Sequence, residues 1–214
     1  YLLRHKYGMH PLTVTWAPNM FTSWGYDNFQ GWIATGDDNV LVTPNRLTHR
    51  LLTRLATEVL LHPFQPFIIG QKNIAPKLAV KFDIPLIFYG EHMQDESKFM
   101  DTDFFICDDK SEVILGGVSY NELIEDFKLE PMDLQLYVPM TSEEWGNKQV
   151  EFYYLGYYEK WNSRDVFHFA SEKGHFRTAP HRTVGSYTNY CSMDDKIDTL
   201  SWYTTYIKFG IGRG

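Results

Sequence analysis

Cysteine is scarce in this chain of 214 residues. Cys107 and Cys191 form no C-x-x-C pair and by themselves build neither a zinc site nor a disulfide framework. Positive charge is also in deficit, with 20 Lys and Arg against 27 Asp and Glu and a formal net charge of -7. That balance gives no general attraction for phosphate backbones or anionic membranes, so nucleic acid is not an expected partner. No run approaches the roughly 18 to 20 consecutive apolar residues of a spanning helix, and no basic-then-apolar N-terminus reads as a signal peptide. A soluble, cytoplasmic protein without a membrane span is expected. Internal repeats, low-complexity tracts and flexible linkers are missing too. The histidines at 5, 10, 49, 62, 92, 168, 175 and 181 are scattered, His168 and His175 lying seven apart. No metal-ligand spacing results, which argues against a zinc hydrolase.

What the chain has in excess is aromatic side chains, 16% of its residues. Its 43% hydrophobic content and its length are enough for one sizeable core, so a single domain over 1–214 is expected, with an insertion. Tyr1 to Gly8 reads as the last turns of a helix closing on glycine. Leu12 to Trp16 alternates between Pro11 and Pro18 and reads as a strand. Phe29 to Ala34 reads as a short helix, and Val40 to Val42 as a fully buried strand. Asn45 is a good N-cap for a helix that places Leu47, Leu51, Leu52, Leu55, Val59 and Leu60 on one face and Arg46, Arg50, Arg54 and Glu58 on the other. Pro63 and Pro66 end that helix. A further helix over about 70–82 leads into a third buried strand, Pro85 to Tyr89. Strand, helix, strand, helix, strand is the signature of a parallel α/β sheet. Residues 92–149 read as an inserted, mostly helical segment in which Ser119 to Glu122 and Thr141 to Glu144 match the capping-box spacing. Val150 to Leu155 returns to strand, Ser163 to Lys173 to helix, and Asp194 to Lys208 to an aromatic-rich helix. If Tyr1 to Tyr7 ends a helix, right-handed crossover calls for an earlier strand beside Leu12 to Trp16. Both ends are therefore expected to be cuts in a longer chain.

Several segments together, among them Tyr7-Gly8-Met9-His10-Pro11-Leu12-Thr13-Val14-Thr15-Trp16-Ala17-Pro18, Thr43-Pro44-Asn45, His62-Pro63-Phe64-Gln65-Pro66-Phe67, Gly70-Gln71-Lys72-Asn73, Tyr89-Gly90-Glu91, Tyr154-Leu155-Gly156-Tyr157-Tyr158 and Lys208-Phe209-Gly210-Ile211-Gly212-Arg213, resemble the bacterial N-acetyl sugar amidotransferases of lipopolysaccharide O-antigen and pseudaminic-acid-type glycan biosynthesis. The resemblance implies a three-layer α/β/α sandwich with a mostly parallel sheet, adenine-nucleotide-hydrolase-like and of the PP-loop type. It implies ATP and Mg2+ as cofactors, a nucleotide-activated N-acetyl sugar as substrate, and a glutaminase subunit supplying ammonia. The family's phosphate loop, Ser-Gly-Gly-x-Asp-Ser, has no counterpart in this sequence; its expected place is just upstream of Tyr1, so the first strand is expected to be missing and the chain as given to be inert.

The candidate site residues follow. Gly70, Gln71, Lys72 and Asn73 fall at the expected start of a helix, where free N-H groups and the dipole favour a phosphate and Lys72 adds a point charge; the alternative is a solvated first turn. Glu91 directly follows a strand, where ligands bind in open parallel sheets. It either positions Mg2+ or acts on incoming ammonia, or is a loop carboxylate in water. Similarity to the fold implies that Trp16 and Ala17 contact adenine; otherwise Trp16 is a core aromatic. Tyr157, Tyr158, Lys160 and Trp161 form either a sugar platform with a cation for the carrier diphosphate, or packing under the insertion. Asp194 and Asp198, four apart, would share a helix face and hold Mg2+, or be an acidic first turn. Lys208 and Arg213 either flank a phosphate-facing loop or close a helix. The rivals are another PP-loop ligase or tRNA-modifying thiolase, against which acidity and the missing cysteine pairs count, and a non-catalytic carbohydrate-binding or assembly subunit.

Overall fold

Gly8 takes φ +67, and its N-H and that of Met9 return to the carbonyls of Arg4 and Leu3 at 3.1 and 2.9 Å, so the first helix, α1 (Leu2–His5), closes on glycine as the sequence indicates. The computed structural model describes residues 1–90, 99–100, 102–160 and 162–211. Along the chain follow β1 (Leu12–Trp16), α2 (Ser23–Ile33), β2 (Asp38–Val42), α3 (Arg46–Leu60), α4 (Gln65–Phe82), β3 (Leu86–Tyr89) and β4 (Phe99–Met100). After two 3-10 turns come β5 (Ile114–Leu115), β6 (Val118–Ser119), α5 (Tyr120–Glu125), α6 (Pro131–Leu134), α7 (Ser142–Trp145), β7 (Glu151–Tyr154), α8 (Leu155–Tyr158), α9 (Ser163–Lys173) and α10 (Asp198–Phe209). None of the described helices is long and apolar enough to cross a membrane. The architecture is mixed α/β with short parallel ladders, and the chain divides into two compact units, Tyr1–Phe67 with Ser163–Gly214, and Ile68–Asn162. The insertion expected over 92–149 falls within the second.

In the first unit β1 and β2 run parallel, in register from Leu12 opposite Asp38 to Trp16 opposite Val42. β2 is not fully buried: Leu41 is exposed. α2 starts at Ser23 rather than Phe29, because Thr22 Oγ1 accepts from Gly25 N at 2.9 Å and caps a first turn whose rings, Trp24 and Tyr26, are exposed. Gly25 fits there because a side chain would meet the backbone of Asp194, with a Cβ only 2.5 Å from its Cα. α3 begins at its expected cap, Asn45 Oδ1 accepting from Leu47 and Thr48 N-H at 3.0 and 3.4 Å. Its buried face is turned from the expected one: Thr48, His49, Leu52, Leu55 and Ala56 are inside, whereas Leu47 is 69% and Val59 56% exposed. Leu61, left-handed at φ 50, stops the helix before Pro63. Pro66 does not end α3; it sits at the start of α4, where its missing N-H had no partner to lose.

In the second unit β3 pairs parallel with β7, Leu86 opposite Glu151 through Tyr89 opposite Tyr154, and β4 lies antiparallel on the other side of β7. The third strand of the expected continuous sheet thus joins β7 and not β2. Stacked Phe105 and Phe152, 4.3 Å between centroids, form a core with Trp145, Met140, Tyr89 and Tyr154. Both expected capping boxes are present: Ser119 with Glu122 starts α5, and Thr141 with Glu144 starts α7. The segment around them is a mixture of short helices, 3-10 turns and the β5–β6 hairpin, not mainly helix. Pro76 lies inside α4 and cannot donate to the carbonyl of Lys72 one turn back; Tyr89 Oη fills that place, donating at 3.1 Å.

Candidate functional site

The segment that leaves β1, Ala17 to Phe21, is fixed from below by one carboxylate. Asp195 is 5% exposed, and Oδ2 accepts from Asn19 N and Nδ2 at 2.6 and 2.9 Å while Oδ1 accepts from Met20 N and Ile197 N at 3.1 and 3.2 Å. Thr22 N donates to Asp194 O at 3.0 Å and Lys196 N to Met20 O at 2.9 Å, so residues 20–22 and 194–196 clasp each other. His49, 6% exposed, lies in the field of Asp195. Burial pushes the His49 imidazole down to about 4, with the Asp195 charge opposing the drop, so it is neutral at physiological pH.

Two cavities flank this segment, both within the first unit and both lined by Pro18 and Phe21. The larger, about 740 Å³, is walled by rings: Trp16, Phe21, Phe29, Trp32, Phe169, Phe176 and Tyr190. Its wall is set by Asn28 of α2, whose side chain donates to Arg177 O at 2.9 Å and accepts from Arg177 N at 2.8 Å. Polar groups on it are Asp37, ion-paired to Arg4 at 2.8 Å, and Lys173, His175 and Asp194. Asp194 is exposed by surface area, yet dense packing about its carboxyl raises it above the usual carboxylate range, and the Asp195 charge adds to the rise. The smaller cavity, about 520 Å³, lies beyond the carboxyl ends of β1 and β2, between Ala17–Phe21, Thr43–Pro44 and the first turns of α3. Arg46, His49 and Arg50 line it.

The expected site residues distribute over the two units. Trp16, 3% exposed, lines the aromatic cavity and Ala17 the smaller one; the Ala17 N-H is taken by Val42 O at 2.9 Å. Gly70 to Asn73 do not start a helix, because α4 begins at Gln65; their N-H groups lie inside it, which removes the helix-terminus argument for phosphate. Asn73, 9% exposed, donates from Nδ2 to Ile69 O at 3.1 Å and Tyr137 O at 2.7 Å, a structural role. The Lys72 carbonyl is held by Tyr89 as described above. Tyr157 and Tyr158 are exposed and stand edge-on to each other at 5.3 Å, Tyr158 also meeting Phe88 and Tyr153; Lys160 is exposed nearby in sequence. Asp194 precedes α10, which begins at Asp198, so the pair shares no helix face; Asp198 Oδ2 instead accepts from Asp195 N at 3.4 Å. Among the described residues no group of three or more His, Cys, Asp or Glu is arranged to hold a metal. Lys208 donates from Nζ to Leu60 O at 3.1 Å, closing α3. Glu91, Trp161 and Arg213 lie outside the described residues.

Sequence reasoning missed the aromatic wall of α2 and α9 and the cationic turn of α3. Arg46 and Arg50 read only as part of the helix face opposite the leucines. No protein-family model and no curated protein matches this chain.

Proposed function

We propose that the protein is an ATP-dependent amidotransferase that converts the acetamido group of a nucleotide-activated N-acetyl sugar to an acetamidino group, on a three-layer α/β/α fold of the PP-loop type. The observation that carries this reading is the pair of cavities flanking the exit of β1 and sharing Pro18 and Phe21, since joining two sizeable substrates needs two adjacent sites at the carboxyl ends of parallel strands. The extended resemblance in the sequence supplies the chemistry. ATP, when bound, activates the amide oxygen as an AMP ester with release of pyrophosphate, and ammonia from a glutaminase partner then attacks the carbon and displaces AMP. The aromatic cavity fits a nucleobase or pyranose, since Trp16, Phe29, Trp32 and Phe169 offer ring faces at its wall. Asp195 holds the shared segment and thereby keeps the two cavities in register. Asp194 and Asp198 do not fit Mg2+, because they share no helix face and Asp198 Oδ2 already accepts from Asp195 N, so no step is assigned to a metal there. The exposed Tyr157 and Tyr158 rings are a second surface on which a sugar ring can pack.

The test is pyrophosphate release from ATP by the full-length protein. Release that requires both an N-acetylated nucleotide sugar and ammonia, and falls at least tenfold in Trp16→Ala, supports the reading. Glycan binding without any ATP turnover overturns it in favour of a carbohydrate-binding subunit.

A further inference from the structure

We propose that Arg46 and Arg50 form a binding site for a phosphate or diphosphate group in the smaller cavity at the ends of β1 and β2. Both line that cavity of about 520 Å³, and among the described residues no Asp or Glu does, in a chain whose net charge is -7. Neither makes an ion pair among the described residues, whereas Arg54, one turn further on, is paired with Glu58. Asp195, behind the wall, has both oxygens committed to Asn19, Met20 and Ile197.

The placement of these cations is unfavourable without a ligand. Arg46 is the first residue of a helix of 15 residues, where the macrodipole disfavours positive charge, and the first turn carries no acidic side chain. Arg50 is four residues on, so two like charges share one helix face, an arrangement that costs stability. An anion in the cavity relieves both penalties at once. Asn45 already accepts from the N-H groups of Leu47 and Thr48, so the guanidinium groups, not the helix backbone, are the main donors left for it. Their planar forks suit the paired oxygens of a phosphate or diphosphate. Two sources carry that chemistry, ATP and the carrier of a nucleotide sugar. The inference does not depend on amidotransfer, since it requires only an anionic ligand.

Titration calorimetry of the protein with inorganic pyrophosphate, ATP and a uridine-diphosphate N-acetyl sugar tests it. Arg46→Ala and Arg50→Ala should each weaken pyrophosphate binding by about tenfold or more, and Arg54→Ala by no more than about twofold. Both arginines are exposed, so the variants should melt at or above the temperature of the parent, which separates lost binding from lost folding. A loss confined to ATP assigns the site to ATP, and a loss confined to the sugar nucleotide assigns it to the sugar carrier. Equal loss in Arg54→Ala, no loss in either cavity variant, or no pyrophosphate binding up to about 10 mM overturns the proposal. Pyrophosphate binding through Arg46 and Arg50 in a protein that never turns over ATP leaves this site standing and removes only the amidotransferase reading.

Discussion

Tyr89 and Pro76 illustrate how one residue creates a need that another meets. Pro76 leaves the Lys72 carbonyl without its helical donor, and Tyr89 Oη donates to it from β3 at 3.1 Å. Removing that hydroxyl in Tyr89→Phe should lower stability in urea unfolding by about 1 to 2 kcal/mol, and the loss should shrink when Pro76→Ala restores a helical N-H in the same chain. Additive effects would show that the hydroxyl does not serve that carbonyl. His49 makes a prediction about pH. In the unfolded chain it protonates near 6.5, but in the fold only near about 4, so between those values the unfolded state binds more protons. Its contribution is whole above 6.5 and is lost as pH falls toward 4, by up to about 3 kcal/mol. In His49→Leu the slope of stability against pH across that window should flatten. A slope identical to that of the parent would place the acid sensitivity elsewhere.

At the scale of elements, legibility followed the locality of the signal. Asn45, Ser119 and Thr141 were readable as caps because a cap is a contact within one turn, and the structure has all three. The sequence shows α2 only from Phe29 because the six residues before it place Trp24 and Tyr26 in solvent rather than on a buried face, and the first turn packs against the backbone of Asp194, far along the chain. α4 was started too late because Pro66 reads as a stop, although a proline in a first turn loses no hydrogen bond. Gly70 to Asn73 therefore lie in the interior of α4, where their N-H groups are not free to receive a phosphate. α3 was found at its true start with its face misjudged: the count of leucines favoured Leu47 and Val59, yet Thr48 and His49 are buried in their place. Leu52→Ala, at a position with no exposure, should therefore cost about 2 to 5 kcal/mol, whereas Leu47→Ala should stay within about 0.5 kcal/mol. Comparable losses at the two positions, measured by denaturant unfolding, would contradict the observed face.

For the whole molecule, the order of strands and helices was legible but their pairing was not, because pairing joins residues remote in sequence. β3 chose β7, more than sixty residues later, over β2, and nothing in the composition of either strand announces that partner. The aromatic excess did not say which rings share a wall: Trp16 ends β1, Phe29 and Trp32 come from α2, Phe169 from α9, and Phe21, Phe176 and Tyr190 from connecting segments. The cationic cavity escaped notice for the same reason, since Arg46 and Arg50 gain meaning only from the two strand ends beside them. What unites these features is a proposed reaction that moves oxygen and nitrogen between two bound substrates, and atom tracing follows it most directly. An N-acetyl nucleotide sugar carrying labelled oxygen in its acetamido group is incubated with ATP, labelled ammonia and the full-length protein. The account predicts the oxygen label in AMP and the nitrogen label in an amidine product. Unlabelled AMP, or a sugar recovered with its acetamido group intact, would contradict it.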